Sequence, residues 1–210
     1  MLGPSLEDLL EKCKGKFGLK TVLMIAEQLI NILEYIHSKN VVHVDLSPNN
    51  FLIGRGKKSK NLFLIDFGLA EKFIDNGQHI WFSEGNFFKG TNMFSSLFNH
   101  LGLAYSRRDD MVSLGYILLY LLSGTLPWED YIDKNRSFQF LKLHVGVMKK
   151  EFRRNLEVCN DYPKPFMKYI ECHQDLLFAA KPDYDYSRKI FNDLFMEMGF
   201  QNDKNYEWEL

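Results

Sequence analysis

Two carboxylates and an amide stand at the ends of what the sequence writes as a short hairpin. Asp45 lies in His43-Val44-Asp45-Leu46-Ser47-Pro48-Asn49-Asn50. There follow an apolar run Phe51-Leu52-Ile53, a basic turn, a second apolar run from Leu62 to Ile65, and Asp66-Phe67-Gly68. Two short apolar runs joined by a Gly/Lys turn predict a β-hairpin. A hairpin brings its ends together, so Asp45 and Asn50 are expected beside Asp66. Such a set suits phosphoryl transfer, which needs one group to orient an attacking hydroxyl and oxygen donors for magnesium bridging phosphates. The plain alternative is an ordinary turn with Phe67 in the core. Two motifs in order, each at the edge of an apolar run, weigh against it.

The pair resembles the catalytic loop and D-F-G magnesium loop of protein kinases. Further blocks resemble casein kinase I: Met1-Leu-Gly-Pro-Ser-Leu-Glu-Asp-Leu-Leu10, Glu34-Tyr-Ile-His-Ser-Lys-Asn40, His100-Leu-Gly102, Ser106-Arg-Arg-Asp-Asp110, Ser113-Leu-Gly-Tyr116, Gly124-Thr-Leu-Pro-Trp128 and Lys181-Pro-Asp-Tyr184. They fall in that family's order and span nearly the whole chain. The resemblance implies a serine/threonine kinase that moves the γ-phosphate of ATP to a protein substrate, with ATP and Mg2+ as cofactors. It implies Asp45 as base, Asn50 and Asp66 as magnesium ligands, and Leu2 at a hinge whose backbone meets the adenine. His43, Gly68 and Asp110 are implied as structural support.

The elements that must hold these residues are mainly helical. Ser5 followed by Asp8 writes an approximate capping box for a first helix. Gly15 and Gly18 mark a turn. Apolar residues from Val22 to Ile36 recur at helical spacing within Thr21–Ser38, a wide stripe that predicts a buried helix leading into the catalytic loop. From Asp110 to Leu122 the chain is apolar on nearly all sides and is ended by Gly124. Such a helix belongs at the centre of a core, and it is too short for a bilayer, which takes about 20 apolar residues. Helical patterns continue from Phe138 to about Glu157, from Pro165 to about Asp175, and from Tyr186 to Met198. Ala70 to Gly90 reads as irregular, with His79 and Trp81 as packing or loop residues. The turn Gly54-Arg55-Gly56-Lys57-Lys58-Ser59 half-matches a phosphate loop. No helix follows to present its N-terminus, so it reads as a solvated turn. The cluster Lys149, Lys150, Arg153 and Arg154 reads as a solvated helix face. The fold class expected is mainly α: one domain over 1–210, a kinase-like C-terminal lobe built as a helical bundle around a buried central helix. A short β-hairpin carries the two loops.

Several positions depart from the family pattern. Val44 replaces an arginine that pairs with an activation-segment phosphate, and Ser47 replaces a lysine that faces the transferred phosphoryl group. Removing one preorganised donor of that kind costs roughly 10²–10³ in rate. Met93 stands where the family has the arginine of an anion pocket, and ungapped counting puts Asp130 and Gln139 where it has a glycine and a lysine. Because Leu2-Gly3 matches the hinge, the chain is expected to start there and to lack the small lobe. A small-lobe fragment or partner protein would then cover the bare face next to Phe67. A pseudokinase or interaction module that keeps the fold without catalysis is the competing expectation.

Composition narrows the rest. With 210 residues, one domain with a full core is expected. Lys plus Arg at 26 nearly balances Asp plus Glu at 27, so no footprint for nucleic acid or an anionic membrane is written. Cys13, Cys159 and Cys172 are widely spaced with no C-x-x-C, which favours reduced thiols and a cytosolic or nuclear setting. No secretory leader is evident.

Overall fold

A computed structural model describes residues 2–134, 138–154 and 162–209, with side chains of 133–142 and of 153 and 154 left aside. Gln139, Arg153, Arg154 and Cys159 therefore lie outside the described side chains, and the helical pattern beyond Arg154 lies outside the described residues.

The first helix, α1 (Leu6–Lys12), starts where the capping box predicts: the Asp8 backbone N–H donates to Ser5 Oγ, and the Ser5 backbone N–H to Asp8 Oδ2. The next, α2 (Leu19–Ser38), buries Val22, Ile25, Ala26, Leu29, Ile30 and Leu33 completely, as its wide apolar stripe requires. A two-residue strand, β1 (Val41–Val42), leads into the loop that carries His43 to Asn50. The predicted hairpin is present as β2 (Phe51–Ile53) and β3 (Leu62–Leu64), antiparallel with Phe51 opposite Leu64. Gln28 of α2 fixes it from below. Its amide oxygen accepts from the Leu62 N–H, and its amide nitrogen donates to the Lys60 carbonyl.

The stretch from Ala70 to Gly90 is more ordered than its composition suggests. It contains β4 (Glu71–Lys72), paired antiparallel with β1, and a tight hairpin of β5 (Ile74–Asp75) with β6 (Gln78–His79). Two residues are too few for a strand period to show in sequence. Phe73, between them, joins Val42, Val44 and Tyr105 in a small second apolar cluster.

The remaining helices are α3 (Leu97–His100), α4 (Arg107–Ser123), α5 (Glu129–Lys134), α6 (Phe138–Arg154), α7 (Lys164–Gln174) and α8 (Tyr184–Glu197). The most deeply buried, α4, starts three residues before Asp110 and stops at Gly124. It packs against α7 and α2. A Cβ at Gly115 would come within 2.5 Å of Ile170 Cγ1, so only glycine lets α4 and α7 approach this closely. Among the described residues no helix is long and apolar enough to cross a membrane.

Candidate active site

One carboxylate organises the catalytic loop. Asp110 is fully buried at the start of α4 and accepts four hydrogen bonds. They come from the His43 N–H (2.8 Å), the Val44 N–H (3.1 Å), the Tyr105 hydroxyl (3.1 Å) and His37 Nε2 (3.0 Å). Burial alone would raise its pKa. The hydrogen bond and charge of His37 and the His43 N–H outweigh that and hold it below its ordinary value. His37 is steadied in turn by Tyr184, whose hydroxyl lies 2.7 Å from Nδ1.

The clamp holds a strained backbone. Val44 has φ +74°, a left-handed conformation that is an outlier for a β-branched residue. Strain of this kind costs roughly 1–3 kcal/mol and persists where the surroundings over-determine it. Here those surroundings are the Asp110 carboxylate on its N–H and the cluster of Val42, Phe73 and Tyr105 around its side chain.

Beyond Val44 the candidate groups are linked one to the next. Asn50 Nδ2 donates to the Asp45 carbonyl at 2.8 Å, and the Asn50 carbonyl accepts from the Ile65 N–H at 2.9 Å. His43 Nε2 donates to the Ile65 carbonyl at 2.9 Å, and its ring meets Phe67 edge to face at 5.0 Å. Ile65 is thus gripped on both sides, which fixes Asp66 next to Asn50. Asp66 is itself in the left-handed region and accepts from the Gly68 N–H at 3.2 Å. Asp45, Asn50, Asp66, His43, Gly68 and Asp110 therefore come together as expected. Phe67 is 46% exposed, so the plain-turn alternative that placed it in the core does not hold. Ser47 is buried under the loop, and Leu2 stands apart, half-buried at the edge of β2.

A second segment closes on Asp45 from the other side. Thr91 Oγ1 donates to Asp45 Oδ1 at 2.7 Å. Gly90, at φ +81°, sits so close that a Cβ there would lie 2.8 Å from the Val44 carbonyl and 3.2 Å from Asp45 Oδ1. With Oδ1 committed to Thr91, Oδ2 is the oxygen that can meet a substrate hydroxyl. The match to the protein kinase domain model runs over residues 1–177. This chain belongs to the protein kinase family.

The kinase family generally works with ATP and Mg2+, and the donor set here suits the ion. Magnesium takes oxygen ligands and keeps places for phosphates. The Asn50 amide nitrogen is committed to Asp45, so its oxygen is the atom that can face a cation. Asp66 adds a carboxylate. Among the described residues no group of three His, Cys, Asp or Glu forms a metal site unaided. Beside Leu2 the Gly3 N–H is committed to the Ile53 carbonyl at 2.7 Å.

The loop from Gly90 to Ser96, which closes on Asp45, is held from beneath by Lys149, a residue expected on a solvated helix face. Lys149 is not on a solvated face; it is completely buried. Its Nζ donates to the carbonyls of Asn92 (2.8 Å) and Ser95 (2.6 Å) and lies 3.2 Å from His100 Nε2. The rings of Tyr116 and Trp128 flank it at 5.1 and 4.9 Å, and burial pushes its pKa well down. Trp128 Nε1 donates to the Met93 carbonyl at 2.8 Å, and Ser96 Oγ donates to the buried Asp109 at 2.5 Å. Burial lifts Asp109 to about 6 against these hydrogen bonds. The Met93 side chain packs against the main core, and Asp130 is exposed. A signal for Lys149 was available: Val145, Lys149 and Phe152 fall at i, i+4 and i+7, on one buried stripe of α6.

Proposed function

We propose that this chain is the catalytic lobe of a serine/threonine protein kinase of casein kinase I type, acting on protein hydroxyls. The observation that carries the reading is the shared position of Asp45. Its loop is clamped by Asp110, its carbonyl is tied to Asn50, and its carboxylate is held by Thr91. When bound, ATP with Mg2+ supplies the phosphoryl group. Asn50 and Asp66 would hold the ion, and Leu2 would meet the adenine. Asp45 Oδ2 orients the substrate hydroxyl and takes its proton. Thr91 keeps Asp45 in one rotamer, so the hydroxyl meets a prepositioned base. A small lobe, as a partner or a supplied fragment, would complete the nucleotide's surroundings and cover the face around Phe67.

A pseudokinase is the second reading, and one observation favours it: buried Ser47 puts a hydroxyl where the family resemblance expects an ammonium. The test is Mg-ATP-dependent transfer to a Ser peptide by the chain supplied with a small lobe of a related kinase. The kinase reading expects transfer, and expects Ser47→Lys to raise turnover about ten-fold or more. No transfer by either protein, with nucleotide bound, would favour the pseudokinase.

A further inference from the structure

Trp81 and Phe87 are each 89% exposed, more than any other large apolar side chain among the described residues. Their loop is nonetheless stitched down. The Ser83 carbonyl accepts from the Ala104 N–H (2.9 Å), the Asn86 N–H donates to the Gly102 carbonyl (2.8 Å), and Asn99 Nδ2 donates to the Lys89 carbonyl (2.6 Å). Asn86 Nδ2 adds bonds to the carbonyls of Ser83 and Gly102. Two aromatic side chains are thus displayed in water on a fixed base. Exposed apolar patches mark interaction sites, and rigid aromatics give contact area at low entropic cost.

What covers them follows from where they are. The two rings rim one cavity of about 120 Å³ whose other walls are mixed, with Asn86, Lys89 and Asn99 on the polar side and Leu103, Ala104 and Tyr105 on the apolar side. Small-molecule pockets run to roughly 300–1,000 Å³, so this one suits a single side chain. Phe87 is three residues before Gly90, whose Cβ position lies 3.2 Å from Asp45 Oδ1. Three residues span at most about 11 Å, which puts the Phe87 backbone within about 15 Å of the catalytic carboxylate. An extended peptide covers that distance in about five residues. A segment that offers its hydroxyl to Asp45 therefore reaches the aromatic pair. Lys89, the one cation between 81 and 89, is paired with Glu71, and Glu84 is exposed, so the apolar part of the contact is what the two rings themselves offer.

We propose that Trp81 and Phe87 form a docking platform for an apolar or aromatic side chain of the protein substrate, within about five residues of the phosphoacceptor. The proposal rests on the kinase reading above. It is tested with fluorescein-labelled peptides carrying one Ser and one Phe moved through the positions on either side, beside an all-Ala counterpart. These are titrated into the full chain and into Trp81→Ala/Phe87→Ala, without nucleotide. At its best position Phe should tighten binding at least ten-fold over Ala, and the double variant should lose that gain. Because both side chains are exposed, the variant should keep the parent Tm. Equal affinity for the Phe and Ala peptides, or no binding of either, overturns the platform. Self-association that disappears in the double variant would assign the patch to a second copy and also overturn it. Platform-dependent binding without phosphoryl transfer in the completed enzyme would sink the kinase reading and keep the platform. Transfer that ignores the Phe would do the reverse.

Discussion

The loop from His43 to Asn50 and the loop from Gly90 to Ser96 meet at Asp45, and each is fixed by a buried ionisable side chain, an acid for one and an amine for the other. On one side Asp110 draws in the N–H groups of His43 and Val44, the Tyr105 hydroxyl and His37. On the other, Lys149 draws in the carbonyls of Asn92 and Ser95. Both side chains are completely buried. The anion is matched by donors on every side, and its pKa falls, so its charge is stabilised in place. The cation has no carboxylate among its described contacts. Its pKa falls too, which for an ammonium means that burial disfavours the charge. The same device, a buried ionisable group gathering backbone groups, therefore strengthens one loop through its charge and the other through its hydrogen bonds.

Breaking the anion clamp should have the largest effect. Asp110→Ala takes the acceptor from the buried His43 and Val44 N–H groups, from the Tyr105 hydroxyl and from His37 Nε2, and removing one partner of a buried charged set costs roughly 3–5 kcal/mol. A shift of the urea midpoint measures it. A loss no larger than that of a surface substitution, about 0.5 kcal/mol, would break the comparison. Below its folded pKa Asp110 is protonated, so its contribution is present above the ordinary value of 3.8 and is lost as pH falls through the lower folded value.

Lys149→Met should cost less, about 2 kcal/mol, because it strands two carbonyls but also removes a group whose charge was unwelcome. The sharper signature is alkaline. The folded pKa of Lys149 lies well below 10.5, so between that lowered value and 10.5 the unfolded chain holds a proton that the folded chain does not. Stability should rise with pH across that window, and the slope should be shallower in Lys149→Met. Identical slopes in the two proteins would mean that Lys149 stays charged in the fold.

What could be read from sequence alone separates along the same line. Motifs in which neighbouring residues do the work were legible: the Ser5–Asp8 box, the β2–β3 hairpin, the apolar stripe of α2, the central helix. The residues Asp45, Asn50 and Asp66 were legible because short elements join them. For Lys149 the stripe it shares with Val145 and Phe152 was masked by the charged face of Lys150, Arg153 and Arg154, and its partners, from positions 92 to 128, are brought to it only by the fold. The strands β4 to β6 were too short to show a period. The Thr91 hydroxyl on Asp45 depends on a loop closing over 46 residues, which no local pattern encodes.

A smaller effect is expected on the acid side, where two buried groups work against each other. Burial lowers His173 from 6.5 to about 4 and raises Asp109 from 3.8 to about 6. Between about pH 4 and 6 the folded chain holds the Asp109 proton and the unfolded chain the His173 proton, so the two slopes oppose. The parent should be nearly flat there as far as this pair is concerned. In His173→Gln only the Asp109 slope remains, and stability should fall as pH rises from 4 to 6. Thermal melts across that range decide it; parallel profiles for parent and variant would mean that His173 does not resist protonation.

The central claim is that Asp45, held between the two clamped loops, is the base of a phosphoryl-transfer site. Single-turnover transfer from Mg-ATP to a Ser peptide, by the chain supplied with a small lobe, tests it most directly when parent and Asp45→Asn are compared. The expected result is a fall in rate of about 10²–10⁴ in the variant, the range for losing a general base, with peptide affinity and Tm close to the parent's. Equal single-turnover rates in the two proteins would contradict the account.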